Sequence, residues 1–254
     1  MRILITNDDG IHAPGLAVLE RVARALSDDI VVVAPETDQS GVAHSLSLND
    51  PLRLREVSDG RYAIKGTPTD CVIMAVNSIL KDRRPDLILS GINRGQNVAE
   101  DVTYSGTIAA AMEGTLLGVP SIALSQAYGA VTGRKNPHWA CGEHHAADVV
   151  RRVLDMGIPR GTLVNVNFPD CLPDEVTGVE ATSQGSRDTA LMQVHDREDG
   201  RGNPYYWIGF ARGQFTPIDG SDLEALKHRR ISVTPLRLDL TDGETRDRYA
   251  KAFG

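Results

Sequence analysis

The sequence predicts an α/β fold built on a doubly wound, mostly parallel sheet. Three observations carry this. Short apolar runs rich in β-branched residues recur at residues 2–6, 30–34, 86–89 and 121–124. Segments with apolar residues at helical spacing lie between them. The runs are nearly continuous in apolar residues rather than alternating, as in strands covered on both faces.

Residues 2–6 read as a buried strand. Residues 14–26 follow as a helix, with Leu16, Leu19, Val22, Ala23 and Leu26 on one face and Pro14 suited to the first turn. Residues 30–34 (IVVVA) form a second strand. A polar loop then leads to alternating stretches at 52–57 and 61–65, joined by Asp59-Gly60, a strong hairpin signal. Residues 69–80 read as a helix and 86–89 as a strand. A Gly- and Asn-rich loop follows through Ser105, then a small-residue helix at 106–117 and a strand at 121–124. Beyond Gly129 the pattern is weaker: a helix at 143–154, a strand at 163–168, a helix near 221–228 and a strand near 231–236. Residues 183–220 are polar and Gly-rich, with Tyr205, Tyr206 and Trp207. Those aromatics are hard to place in a core and suit an arm that packs on another subunit.

The bulk numbers bound the function. At 254 residues the chain can bury a large core, and its composition is that of a globular protein, 41% hydrophobic and 24% charged. A formal charge of -7 argues against a nucleic-acid binder, although a bound divalent cation would still allow a phosphorylated substrate. No apolar run nears the roughly 20 residues of a membrane span. No signal-peptide pattern is present, and Cys71, Cys141 and Cys171 suggest no disulfide framework. A cytoplasmic location is expected.

Ligands of such sheets sit beyond the carboxyl ends of the strands. Three polar loops leave those ends: Asn7-Asp8-Asp9-Gly10, Ser40-Gly41, and Ser90-Gly91-Ile92-Asn93. They should converge. Two neighbouring aspartates can face one ion only where the strand has turned into a loop, and Gly10 makes that turn accessible. Two carboxylates with the Ser40 hydroxyl and the Asn93 amide oxygen suit Mg²⁺ or Mn²⁺. The bland reading is that Asp8 or Asp9 caps the next helix. Ser105-Gly106-Thr107 opens a helix whose free N–H groups suit an anion, though Ser105 also suits a plain N-cap. Asn97, Gly66-Thr67-Pro68 and Asp70 fit turn and cap chemistry better than ligand contact. His44 lies close enough to Ser40 to reach a substrate. His138, Cys141, His144 and His145 match no common zinc spacing.

Taken together, MRILITNDDGIHAPG, SGVAHSLSL, GTPTDCV, LILSGINRGQN, YSGTIAAAMEG with LGVPSIALS, and ISVTPL before Asp239-Leu240-Thr241 resemble the SurE family. The motifs run in order along nearly the whole chain. The resemblance implies a Rossmann-like core over a single domain, 1–254, whose C-terminal segment from about 183 exchanges between subunits of a homodimer or homotetramer. It implies a metal-dependent phosphomonoesterase acting on nucleoside 5′-monophosphates, and also on 3′-nucleotides and other phosphate esters. One divalent ion per subunit would be held by Asp8, Asp9, Ser40 and Asn93, with Asp8 and Asp9 catalytic. Asn97, Ser105, Gly106 and Thr107 would hold phosphate or substrate. Ala43 departs from the serine expected more often at that place.

Two rivals follow from the same acidic pair. A haloacid-dehalogenase-type phosphatase needs an aspartate nucleophile where Asn7 stands. A non-enzymatic receiver domain binds Mg²⁺ on such a pair, but its phosphate acceptor would have to be Asp50, between hairpin strands and before Pro51.

Overall fold

The first strand forms where its apolar run predicts. β1 (Arg2–Thr6) sends Ile3 and Ile5 into one core cluster and Leu4 into another, as successive strand residues must. The computed structural model describes residues 1–129, 132–133, 137–187, 192–210 and 216–254, with only the backbone of residue 210.

α1 (Pro14–Arg24) opens on proline, with Ala13 as its N-cap. β2 (Asp29–Pro35) follows, then the hairpin β3 (Arg53–Ser58) and β4 (Arg61–Lys65), turned at Gly60 with φ +67°. α2 (Pro68–Met74) starts on a capping box between Thr67 and Asp70 and continues as a π-helical turn, Ala75–Ile79. The second half carries β5 (Leu87–Arg94), α3 (Gly106–Leu116), β6 (Ser121–Gln126), α4 (Trp139–Met156), β7 (Thr162–Phe168) and β8 (Gly178–Ala181). The hairpin β9 (Met192–Glu198) and β10 (Pro204–Phe210) precedes α5 (Asp222–Lys227), β11 (Arg230–Arg237) and α6 (Gly243–Phe253).

The main sheet has nine strands in the order β3-β4-β2-β1-β5-β6-β7-β11-β8. Its central pairs are parallel; only β3 with β4 and β7 with β11 are antiparallel. α1 and α4 bury their apolar faces on one side of the sheet, and α2 and α3 cover the other. The doubly wound α/β prediction therefore holds.

The sequence pattern places residues 90–93 in a loop, but β5 runs on to Arg94. The ladder to β6 slips between Ser90 and Asn93, one residue is extruded at Gly91-Ile92, and Asn93 pairs again with Ser125. Glycine is needed here, because a Cβ on Gly91 would lie 2.2 Å from the Leu124 carbonyl oxygen. A pairing partner 32 residues away, Ser125 for Asn93, keeps these polar residues in the sheet. α4 begins earlier than its apolar spacing suggests, and α6 had no sequence signal, since none of its residues is buried.

β11 lies inside the main sheet, between β7 and β8, whereas among the described residues β9 and β10 pair only with each other. Residues 188–191 and 211–215 of that late segment lie outside the described residues. The short 3₁₀ turn Ala99–Thr103 is tied to the same late segment. Asp222 accepts the Ala99 N–H at 2.9 Å, and Arg187 pairs with Glu100 and Asp101 at 3.2 and 2.8 Å. Among the described residues, no helix is long and apolar enough to cross a membrane.

Candidate active site

The acidic pair leaves β1 through a stapled turn. The Asn7 side chain accepts the Gly10 N–H at 3.2 Å and donates to the Gly10 carbonyl at 3.0 Å. Gly10 sits at φ +104°, in the left-handed region that favours glycine. Asn7 is therefore the strut of the turn, not a reacting group. Neither aspartate caps α1, whose N-cap is Ala13, so the capping reading fails.

Asp8 faces the start of α3. It is 4% exposed, and the Thr107 hydroxyl donates to its Oδ1 at 2.5 Å. A Cβ on Gly106 would lie 2.8 Å from Asp8 Cβ and 3.1 Å from its Oδ2, so a bare glycine lets the helix start come this close. Burial pushes the Asp8 carboxyl up to about 7; the Thr107 bond opposes this, while the charges of Asp9 and Asp38 add to it. The positive end of α3 also favours the ionised form.

Asp9 meets different neighbours. Its Oδ2 accepts the backbone N–H of Arg94 at 3.1 Å, and the Arg94 guanidinium lies 3.8 Å from Oδ1. The same guanidinium is 3.9 Å from Asp38. Asp9 and Asp38 thus share one nearby guanidinium, and with the Asp8 carboxyl beside them the site carries a surplus of negative charge that a divalent cation would neutralise.

The turn after β1, the segment around Ser40 and the end of β5 come together, although the third of these is strand rather than the loop expected. The Gln39 N–H donates to the Asp8 carbonyl at 2.8 Å, and the Ala43 N–H to the Tyr104 carbonyl at 3.2 Å. Ala43 adopts φ +52°, and His44 beyond it pairs with Glu113 of α3 at 3.0 Å, so His44 holds the loop down. Ser40 is exposed, and its hydroxyl donates to Asp38 Oδ1 at 2.6 Å, which leaves its lone pairs to accept. Asn93 donates its amide to the Gly95 carbonyl at 2.9 Å, leaving its oxygen as the end for a cation.

The proposed substrate residues divide. Ser105 caps α3 by accepting the Ile108 N–H at 3.1 Å, and Thr107 is bonded to Asp8, so both hydroxyls have structural partners. The N–H groups of Gly106 and Thr107 head the helix with no ladder partner of their own. Asn97 is buried in an amide network: it donates to Ser125 at 2.9 Å and its backbone meets Asn165 and Asn167 of β7. On the face covered by α2 and α3, the buried hydroxyls of Thr6, Thr69 and Ser90 have no partner among the described residues. Thr6 and Ser90 are register partners at the carboxyl end of β1 and β5.

Among the described residues, no group of three or more His, Cys, Asp or Glu side chains is placed to hold a metal. Any ion at Asp8 and Asp9 must therefore draw on neutral oxygens as well, and the hard oxygen set of Asp8, Asp9, Ser40 and Asn93 suits Mg²⁺ or Mn²⁺. Around the histidine cluster, the described side chains have packing and backbone partners. Cys141 is buried beside Cys171, and His145 bonds the Pro173 carbonyl at 2.9 Å.

Residues 3–190 match the family described as Survival protein SurE. The chain belongs to the SurE family. It is 66% identical to the 5′-nucleotidase SurE of Methylorubrum populi over 253 residues, covering 100% of this chain and 99% of that one. The 5′-nucleotidase SurE of Methylobacterium sp. strain 4-46 is 65% identical over 254 residues, with both chains fully covered. The crystal structure of the SurE protein from Aquifex aeolicus superposes with a TM-score of 0.85 at 39% identity, again over the whole of both chains. Membership of the SurE family leaves the receiver reading without support; Asp50 is exposed in the loop before β3.

Sequence reasoning missed Asp38 and Arg94. Asp38 stands two residues before Ser40, an Asx-turn spacing that signals a local bond. Arg94 lies within the SGINRGQN motif, but nothing local says that it reaches Asp9.

Proposed function

We propose that this chain is a metal-dependent phosphomonoesterase that hydrolyses nucleoside 5′-monophosphates to nucleoside and phosphate. The observation that carries this is the Asp8-Asp9 pair, set at the carboxyl edge of the sheet against the N-terminus of α3. The nucleotide comes from its 5′-nucleotidase relatives.

Asp8, Asp9, Ser40 and Asn93 would hold one divalent ion, Mg²⁺ or Mn²⁺. When bound, the ion neutralises phosphate charge and lowers the pKa of a water. The protein does the positioning. Thr107 fixes the Asp8 carboxylate, and the backbone N–H of Arg94 fixes Asp9. The N–H groups at Gly106 and Thr107, with Ser105, receive phosphate oxygens, and Asn97 steadies the approach through β6 and β7. Phosphate release from AMP, GMP, 3′-AMP and simple esters, with and without chelator, tests this. Release that stops in chelator and returns with Mg²⁺ or Mn²⁺ is expected; no release from any of them would refute the reading.

The chain works as one domain in a homodimer or homotetramer, in the reducing cytoplasm that suits three buried thiols. Trp207 and Ile208 of β10 are 64% and 72% exposed and Phe253 of α6 is 87% exposed, apolar surface that a second copy would cover. Sedimentation of the whole chain should give a dimer or tetramer, and replacing residues 192–210 by a short glycine linker should lower that state. A monomeric whole chain would rule the arm out.

A further inference from the structure

A cavity of about 420 Å³ opens beside Asp9 and Asp38, lined by neither Asp8 nor Asn93. It falls within the size range of small-ligand sites. One wall is the start of α1 and the first residue of α4. Gly15 makes that wall possible: a Cβ there would meet the Ile92 carbonyl oxygen at 2.0 Å and the Trp139 ring at 3.0 Å. The bare glycine lets the half-buried indole of Trp139 come against the helix start, with His12 on the same rim. The facing wall is the segment after β2, carrying Glu36, Thr37 and Asp38, and Arg94 closes the end nearest Asp9.

The charges decide what this cavity takes. Glu36 is paired with Arg55 at 3.1 Å, but Asp9 and Asp38 still outnumber Arg94, so a phosphate dianion is disfavoured in its interior. A neutral group with a flat aromatic face and N–H or O–H donors is suited to it. The indole offers a stacking surface, and the carboxylates accept from sugar hydroxyls and base N–H groups. We infer that this cavity holds the nucleoside half of the substrate, with the base against Trp139 and the ester oxygen turned toward Asp9. The inference rests on the function proposed above and names the subsite that separates nucleotides from plain phosphate esters.

The test compares AMP with 2-glycerophosphate, which carries the ester but no base. Trp139→Ala should raise the KM for AMP about tenfold or more, with kcat within about twofold. Turnover of 2-glycerophosphate should stay near wild type, and Trp139→Phe should restore most of the AMP affinity. Equal losses on both substrates, or an unchanged KM for AMP, would overturn the subsite. A second measurement does not depend on hydrolysis. The chain has two tryptophans, so Trp207→Phe leaves Trp139 as the sole indole. Adenosine should quench its fluorescence saturably. Quenching without phosphate release from any ester keeps the cavity and refutes the reaction; phosphate release with no quenching does the reverse.

Discussion

Asp8→Asn lowers metal-dependent phosphate release from a nucleoside monophosphate by about 10³-fold or more, and Asp9→Asn does the same. Each change keeps shape and removes one of the two negative donors from a site whose other donors, Ser40 and Asn93, are neutral. Asparagine at position 8 still offers an oxygen to the Thr107 hydroxyl, and at position 9 to the Arg94 N–H, so the local fold is retained. Steady-state kinetics at saturating Mn²⁺, with circular dichroism to establish folding, reads the effect. A folded variant with activity within about tenfold of wild type would remove that aspartate from the machinery. Ser40→Ala and Asn93→Ala should cost less, because each removes a neutral donor.

The second large effect is on stability, and its sign is opposite. In chelator at pH 8, Asp8→Asn should be more stable than wild type. Burial raises the Asp8 carboxyl from 3.8 to about 7 in the folded chain. A raised folded pKa means that the native state binds the proton more tightly than the unfolded chain. That stability is fully present below pH 3.8 and is lost as pH rises through about 7. The gap between variant and wild type therefore opens between these values. It reaches about 2–4 kcal/mol at pH 8, because each tenfold change in proton affinity is worth about 1.4 kcal/mol. Adding Mn²⁺ at pH 8 should raise the wild-type melting temperature and leave the variant nearly unmoved. Urea melts at pH 5 and 8 measure the gap; an Asp8→Asn protein no more stable than wild type at pH 8 would mean that the carboxylate is already compensated without metal.

These two effects share one cause, the burial of Asp8 against α3, and the sequence shows it only in part. NDDG after an apolar strand indicates a turn with two carboxylates, because strand alternation and the glycine are local facts. SGT before a run of alanines indicates a helix start for the same reason. That Gly106 and Thr107 close directly over Asp8 is a contact across 99 residues, and no local pattern encodes it. The Ser40 hydroxyl illustrates the converse. Its partner is Asp38, two residues away, and the spacing alone could have suggested that bond.

The SGINRG segment shows how pairing overrides composition. Glycine and asparagine suggest a loop, yet a bulge and the edge of β6 keep Asn93 and Arg94 in the sheet, and this brings the Arg94 N–H to Asp9. Trp139 is similar. It follows a stretch with little periodicity, and only its packing against Gly15 across the sheet face places it beside the acidic site.

By itself the sequence determined the doubly wound α/β class, most element positions, the acidic pair and the gathering of polar segments at the carboxyl edge, though it took the end of β5 for a loop. Those follow from periodicity, turn chemistry and a topological rule, which act over a few residues or on strand order alone. Only the tertiary structure decided that Asp8 and Asp9 part toward α3 and Arg94, that Thr107 serves Asp8 through its hydroxyl, and that an aromatic cavity opens beside the metal-ligand candidates. Burial, charge balance and the pKa of Asp8 depend on which distant segments close over a residue.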